Sequence, residues 1–158
     1  MALNNAFTVG QTLTAAECNN LPFGVAYFDS DASNFNLTTT LTAVTNLGPA
    51  VWTADATRLY KITYYEPQCQ TSTVAGSYVN LQLRENSSTG TQLQSTFVQV
   101  ETAVSTTTGQ TCTYIGTFTA GTRTVVPCAL TSNITGTPRL VHSATTRAFI
   151  IVEDVGLA

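Results

Sequence analysis

From Phe23 to the C-terminus this chain reads as one short β-rich run after another, and that recurrence constrains its fold more than any other feature. Each run is rich in Val, Ile, Tyr, Phe or Thr. Each is bounded by Gly, Pro, Asn or Ser, residues that adopt turn geometry or withhold a backbone donor. The expected strands are Phe23–Phe28, Leu37–Val44, Ala50–Ala54, Arg58–Tyr65, Ser77–Glu85, Leu93–Val104, Thr111–Phe118, Thr122–Leu130, Leu140–His142 and Arg147–Glu153. Alternation is clearest in Tyr78-Val79-Asn80-Leu81-Gln82-Leu83-Arg84, where Val79, Leu81 and Leu83 face a core and Asn80, Gln82 and Arg84 face out. Strands with one wet face predict an antiparallel sandwich. The C-terminal run from Ala148 to Gly156 reads as continuous rather than alternating, so its strand needs cover on both faces, as a central strand or one along a subunit interface does.

The start of the chain reads differently. Thr14-x-x-Glu17 is a capping box, able to satisfy two orphan donors in the first turn of a short helix. Such a segment is too small to hold itself folded and gains order by packing on its own β domain or on a neighbouring subunit. The expected organisation is an N-terminal anchoring arm over residues 1–22 and one β-sandwich domain over residues 23–158. Within the arm Phe7, Val9, Leu13 and Leu21 are the apolar side chains that can anchor it. The first residues lack a basic n-region and a long apolar run, which predicts neither a secretory signal nor a membrane span, and synthesis in a cytoplasm.

Charge is scarce. Only 9 % of the 158 residues are charged, whereas threonine occurs 31 times, so solubility rests on hydroxyls and amides. Threonine suits exposed strands and half-buried contacts because it is β-branched and carries both a methyl and a hydroxyl. A net charge of −3, with Lys61 the single lysine and five scattered arginines, provides no basic stripe for phosphates, and a nucleic-acid partner is not expected.

The four cysteines, Cys18, Cys69, Cys112 and Cys128, show no Cys-x-x-Cys spacing, which argues against a zinc site. The run from Thr111 to Phe118 enters Thr119-Ala120-Gly121-Thr122 and returns to Cys128, so a hairpin would set Cys112 opposite Cys128 at a distance a disulfide can close. Cys69 is a competing partner, and buried free thiols are the alternative.

No constellation requires catalysis. His142 and Ser143 are neighbours on a strand and point to opposite faces, so they cannot form a base and nucleophile; a structural histidine is the simpler reading. Asp29-Ser30-Asp31 begins like a calcium loop but lacks the later glycine and glutamate, and an Asx-rich turn accounts for it. Glu153 and Asp154 face opposite ways and read as strand-end charges paired with an arginine such as Arg58 or Arg147. Trp52, Tyr64, Tyr65 and Tyr78 could form an aromatic platform for a sugar, although core packing is the commoner fate of such residues. No catalytic residue, metal or cofactor is expected.

Three stretches carry a resemblance: Arg58-Leu59-Tyr60-Lys61-Ile62-Thr63-Tyr64, Val79-Asn80-Leu81-Gln82-Leu83-Arg84-Glu85, and Phe149-Ile150-Ile151-Val152-Glu153-Asp154-Val155-Gly156. With the N-terminal Gly10-Gln11-Thr12-Leu13-Thr14-Ala15-Ala16-Glu17-Cys18-Asn19, they resemble small head-decoration and tail-accessory proteins of tailed bacteriophages, especially those of actinobacterial hosts. Cys18 departs from the apolar residue or methionine more usual in that arm motif. The resemblance implies a jelly roll of the tumour-necrosis-factor and complement-head type, usually a homotrimer. It implies a non-enzymatic virion part whose partners are its own copies and the major capsid protein or other virion proteins, with no membrane partner. Capsid decoration is the leading role. The alternative is a receptor-binding or minor tail protein that recognises a host surface glycan.

Overall fold

The computed structural model describes residues 21–100 and 107–158, and it is an all-β jelly-roll sandwich. Its eleven strands are β1 (Gly24–Asp31), β2 (Phe35–Asn36), β3 (Thr42–Ala43), β4 (Ala50–Ala54), β5 (Arg58–Gln70), β6 (Tyr78–Glu85), β7 (Gln92–Gln99), β8 (Thr107–Gly116), β9 (Gly121–Thr131), β10 (Arg139–Leu140) and β11 (Ala148–Leu157). The first sheet runs β1-β11-β5-β10-β2, with β8 on the other side of β5; the second runs β3-β9-β6-β7, with β4 also on β9. All pairings are antiparallel. Among the described residues there is no helix long and apolar enough to cross a membrane. The capping box at Thr14–Glu17 lies outside the described residues.

Two-residue periodicity builds the core. Along β5 burial alternates so that Tyr60, Ile62 and Tyr64 point inward, and along β6 Val79, Leu81 and Leu83 are fully buried, as the alternation predicts. Ile150 and Val152 of β11 join them, each such side chain stabilising the fold by about 1.5–3 kcal/mol on removal from water. Strand β11 is central, held by β1 on one side and β5 on the other, which is why its outward positions Phe149 and Ile151 are only half exposed. An aromatic cluster fills one end of the core, with Trp52, Tyr60 and Phe118 at ring separations of 5.1–6.2 Å.

The β6–β7 hairpin closes through Asn86 in left-handed backbone and Gly90, where a Cβ would sit 1.7 Å from the Glu85 carbonyl oxygen; only glycine fits there.

Two local expectations are corrected. The segment Leu37–Val44 is not one strand, because the chain leaves the first sheet at β2 and enters the second at β3. Strands β8 and β9 do not form a hairpin. β8 pairs with β5 from Tyr60 to Gln70, β9 pairs with β6 from Val79 to Glu85, and the loop between them crosses from one sheet to the other.

Candidate functional site

That crossing decides the cysteines. Cys112 lies opposite the inward-facing Tyr64, whereas Cys128 lies opposite Gln82 on the outer side of the second sheet. The two thiols therefore belong to different sheets and different faces, and Cys69, Cys112 and Cys128 are all free and buried, which corrects the expected Cys112–Cys128 disulfide. Burial pushes the Cys112 and Cys128 thiols up to about 11 each, and that of Cys69 higher still, so none is a thiolate nucleophile near neutrality.

Of the arm residues, Phe7, Val9 and Leu13 lie outside the described residues, and Leu21 is the first described residue. Its carbonyl accepts a hydrogen bond from the Arg58 guanidinium at 2.6 Å. Arg58 is itself buried and forked onto Asp154, with Nε donating to Oδ2 at 2.5 Å and an Nη to Oδ1 at 2.6 Å, and its guanidinium lies 3.7 Å from the centre of the Phe23 ring. Burial pushes the Asp154 pKa up, but the Arg58 hydrogen bonds and charge and the Gly156 amide outweigh it and hold the carboxyl below its ordinary value. Of the two arginines expected as partners, Arg58 pairs with Asp154 and holds the Leu21 carbonyl at the start of the described residues, whereas Glu153 pairs with Lys61.

Beyond that root, β1 lies at the edge of the first sheet among the described residues, where its one strand partner is β11. Phe23, Val25 and Phe28 are 66 %, 60 % and 58 % exposed. Phe28 stacks on Phe149 at 6.2 Å and Phe149 lies 5.2 Å from Tyr65, so an aromatic row crosses the outer face of the first sheet from β1 to β5. Lys61 and Glu153 on the same face pair at 3.1 Å and cancel in charge. Exposed apolar surface of this kind at a sheet edge marks an interaction surface.

At the opposite end of β5 is a buried network that sequence reasoning missed. Glu66 accepts from the Tyr64 hydroxyl at 2.5 Å and meets His142 Nε2 at 2.5 Å. His142 Nδ1 faces the Ser33 carbonyl at 2.7 Å, with the Asp31 carboxylate at 3.5 Å, and the His142 amide donates to the Asn34 side chain. Both ring nitrogens face acceptors, an arrangement suited to an imidazolium. Burial pulls the His142 pKa down, but the Glu66 hydrogen bond and charge, with Ser33 and Asp31, outweigh it and leave it raised. Burial and the neighbouring Glu66 carboxylate push the Tyr64 hydroxyl well above its ordinary value. Its components tie the β1–β2 turn and the chain after β10 to β5, and the Glu66 and His142 side chains are fully buried.

The acidic run also has a structural use. Asp31 accepts from the Ser33 amide in an Asx turn, and Asp29 accepts from the Ser30 amide and from Gly48 in the loop before β4. Among the described residues no group of three His, Cys, Asp or Glu side chains is placed to hold a metal. The four aromatic residues considered for a sugar platform do not meet on one surface: Trp52 and Tyr64 are in the core, Tyr65 is on the outer face of the first sheet and Tyr78 on that of the second. Tyr78 has a different neighbour, Phe97, with which it lines a shallow groove of about 310 Å³ together with Asn80, Gln82 and Leu130.

No family model matches the chain and no curated protein matches it. Solved structures similar to it include a β-1,3-glucan-binding CBM6 from Bacillus halodurans, 16 % identical with a TM-score of 0.29 over 90 % of this chain and 92 % of that one. A second is a Bacillus endospore appendage from a family of disulfide-linked pili, 19 % identical with a TM-score of 0.26 over 85 % of this chain and 99 % of that one. Similarities at these scores carry no argument about function.

Proposed function

We propose that this chain is a non-enzymatic structural subunit of a bacteriophage virion, a capsid decoration protein that works as a homotrimer and attaches through residues 1–22 to the major capsid protein. The observation that carries the reading is the exposed apolar edge Phe23–Val25–Phe28, which continues directly from the N-terminal segment and is rooted by the buried Arg58–Asp154 fork. The aromatic row Phe28–Phe149–Tyr65 supports it, because the row is apolar and the neighbouring Lys61–Glu153 pair cancels in charge, a combination that does not repel a second copy of itself. The resemblance of 58–64, 79–85 and 149–156 to small phage structural proteins supports a virion as the larger assembly.

The mechanism is two-point clamping. The N-terminal segment and the apolar face of the sandwich each bury surface on neighbouring subunits, so that detachment requires both to let go together. The test is rebinding to particles stripped of the protein. The full chain is expected to rebind, and a chain lacking residues 1–20 is expected to melt at a similar temperature yet stay in solution. Rebinding of the shortened chain with unchanged affinity contradicts the proposal.

A second reading, a tail-associated protein that recognises a host glycan, is favoured by the Tyr78–Phe97 groove on the opposite face.

A further inference from the structure

We propose that the outer face of β6 and β7 is a binding site for a neutral saccharide, with Phe97 and Tyr78 as its apolar platform and the Asn80 side-chain amide as its hydrogen-bond donor. The inference goes beyond attachment to a particle, since either a decoration protein or a tail protein can carry such a site.

A single exposed aromatic ring would mean little. Phe97 is 63 % exposed, and it stands edge-to-face with Tyr78 at a ring separation of 6.1 Å and an interplanar angle of 61°. The informative part is the polar row beside it. Arg84, Gln82 and Asn80 project from the same side of β6, and Asn80 lies directly opposite Phe97 in the strand register. An arginine can only donate. Its Nε donates to Gln82 Oε1 at 2.7 Å, while its other nitrogens hold the Gly90 carbonyl at 2.7 Å and Gln92 Oε1 at 3.4 Å.

This fixes the row's direction. With Oε1 turned to Arg84, the Gln82 amide nitrogen donates to Asn80 Oδ1 at 2.7 Å. The Asn80 amide is oriented in turn, with Oδ1 occupied and both Nδ2 hydrogens left for an acceptor beside the aromatic pair. Aligned hydrogen bonds polarise one another, and here the positive end is the one that meets the groove.

A ligand that satisfies this surface needs an apolar face to lie on the rings and uncharged oxygen acceptors at its edge. A pyranose ring supplies both, its axial C–H groups packing on aromatic carbon and its hydroxyl and ring oxygens accepting from an amide. An anion is less well served, because Arg84 directs three of its five donors along the strand and into the β6–β7 turn and the donor at the groove is the uncharged Asn80 amide.

The test is amide-resolved NMR of the full chain titrated with maltohexaose, cellohexaose and mannohexaose, with hexagalacturonate as the anionic comparison. At least one neutral oligosaccharide is expected to shift the Asn80 side-chain amide and the Tyr78 and Phe97 backbone amides. Phe97→Ala and Asn80→Asp are each expected to weaken that binding about tenfold. The Phe97→Ala melt is expected to stay unchanged, because the ring is already mostly in water. The proposal is overturned if no neutral oligosaccharide shifts these resonances, if both variants bind as the parent does, or if hexagalacturonate is the stronger ligand. Movement of the same resonances on concentrating the protein alone also overturns it, by showing that a second copy covers the face. Rebinding of the chain lacking residues 1–20 tests attachment separately.

Discussion

The two ends of β5 solve the same problem with different chemistry. At its start Arg58 and Asp154 form a buried fork that ties down the root of the N-terminal segment; near its end Glu66 and His142 form a buried pair that ties down the β1–β2 turn and the chain after β10. The first pairs a guanidinium with a carboxylate held below its ordinary value, so this clamp loosens only toward acid. The second shares a proton whose presence depends on pH.

The strongest way to break the first clamp is Arg58→Ala, which leaves the Asp154 carboxylate buried and unpaired. The expected loss is about 3–5 kcal/mol, read from denaturant unfolding. Replacing both partners, Arg58→Met with Asp154→Leu, is expected to recover most of it, since no buried charge then remains. Equal losses in single and double variants would show that the fork contributes through packing alone.

The second clamp is expected to be weaker to truncation. His142→Gln removes the positive partner and leaves Glu66 held by Tyr64 only, at an expected cost of about 1–3 kcal/mol near neutral pH. Melting temperature serves as the readout.

Acid and alkali sharpen the contrast. The His142 pKa is raised in the folded state above 6.5, so its contribution is fully present below that value and is lost as pH rises through the folded pKa. Asp154 is held below 3.8, so its contribution is present above that value and is lost as pH falls through the folded pKa. Melts across pH are expected to show an alkaline decline that His142→Gln abolishes and an acid decline that it leaves in place. An alkaline decline of the same size in His142→Gln would contradict the assignment.

The smallest expected effect is at Gln110, opposite Glu66 on β8, whose buried amide has no hydrogen-bond partner among the described residues. Gln110→Met removes that orphan and is expected to leave stability unchanged or raise it by up to about 1 kcal/mol.

Much of this architecture is legible locally. Ala50–Ala54 is read to the residue, the inward Val79, Leu81 and Leu83 follow from alternation, and of the two places open to the C-terminal run β11 takes the one between β1 and β5, although its burial alternates and only one face lies in the core. What fails is pairing across distance. A Thr- and Gly-containing connection looks the same whether it turns a hairpin or crosses between sheets, so Thr111–Phe118 and Thr122–Leu130 were expected to pair and do not. The Glu66–His142 contact joins residues 76 apart, with no local pattern to signal it. Asp154 and Arg58 are further apart still, yet that pair is foreseeable because a carboxylate beside a strand's inward positions needs a cation and the chain has few. The Tyr78–Phe97 pair was half visible: Tyr78 stood out as aromatic, but its neighbour depended on the β6–β7 register.

The most direct test of the assembly role is the stoichiometry of this chain in purified phage particles, measured by quantitative mass spectrometry against the major capsid protein. A ratio close to that of the major capsid protein is the result expected of a decoration subunit. Absence from the particle, or a handful of copies confined to the tail, would contradict it.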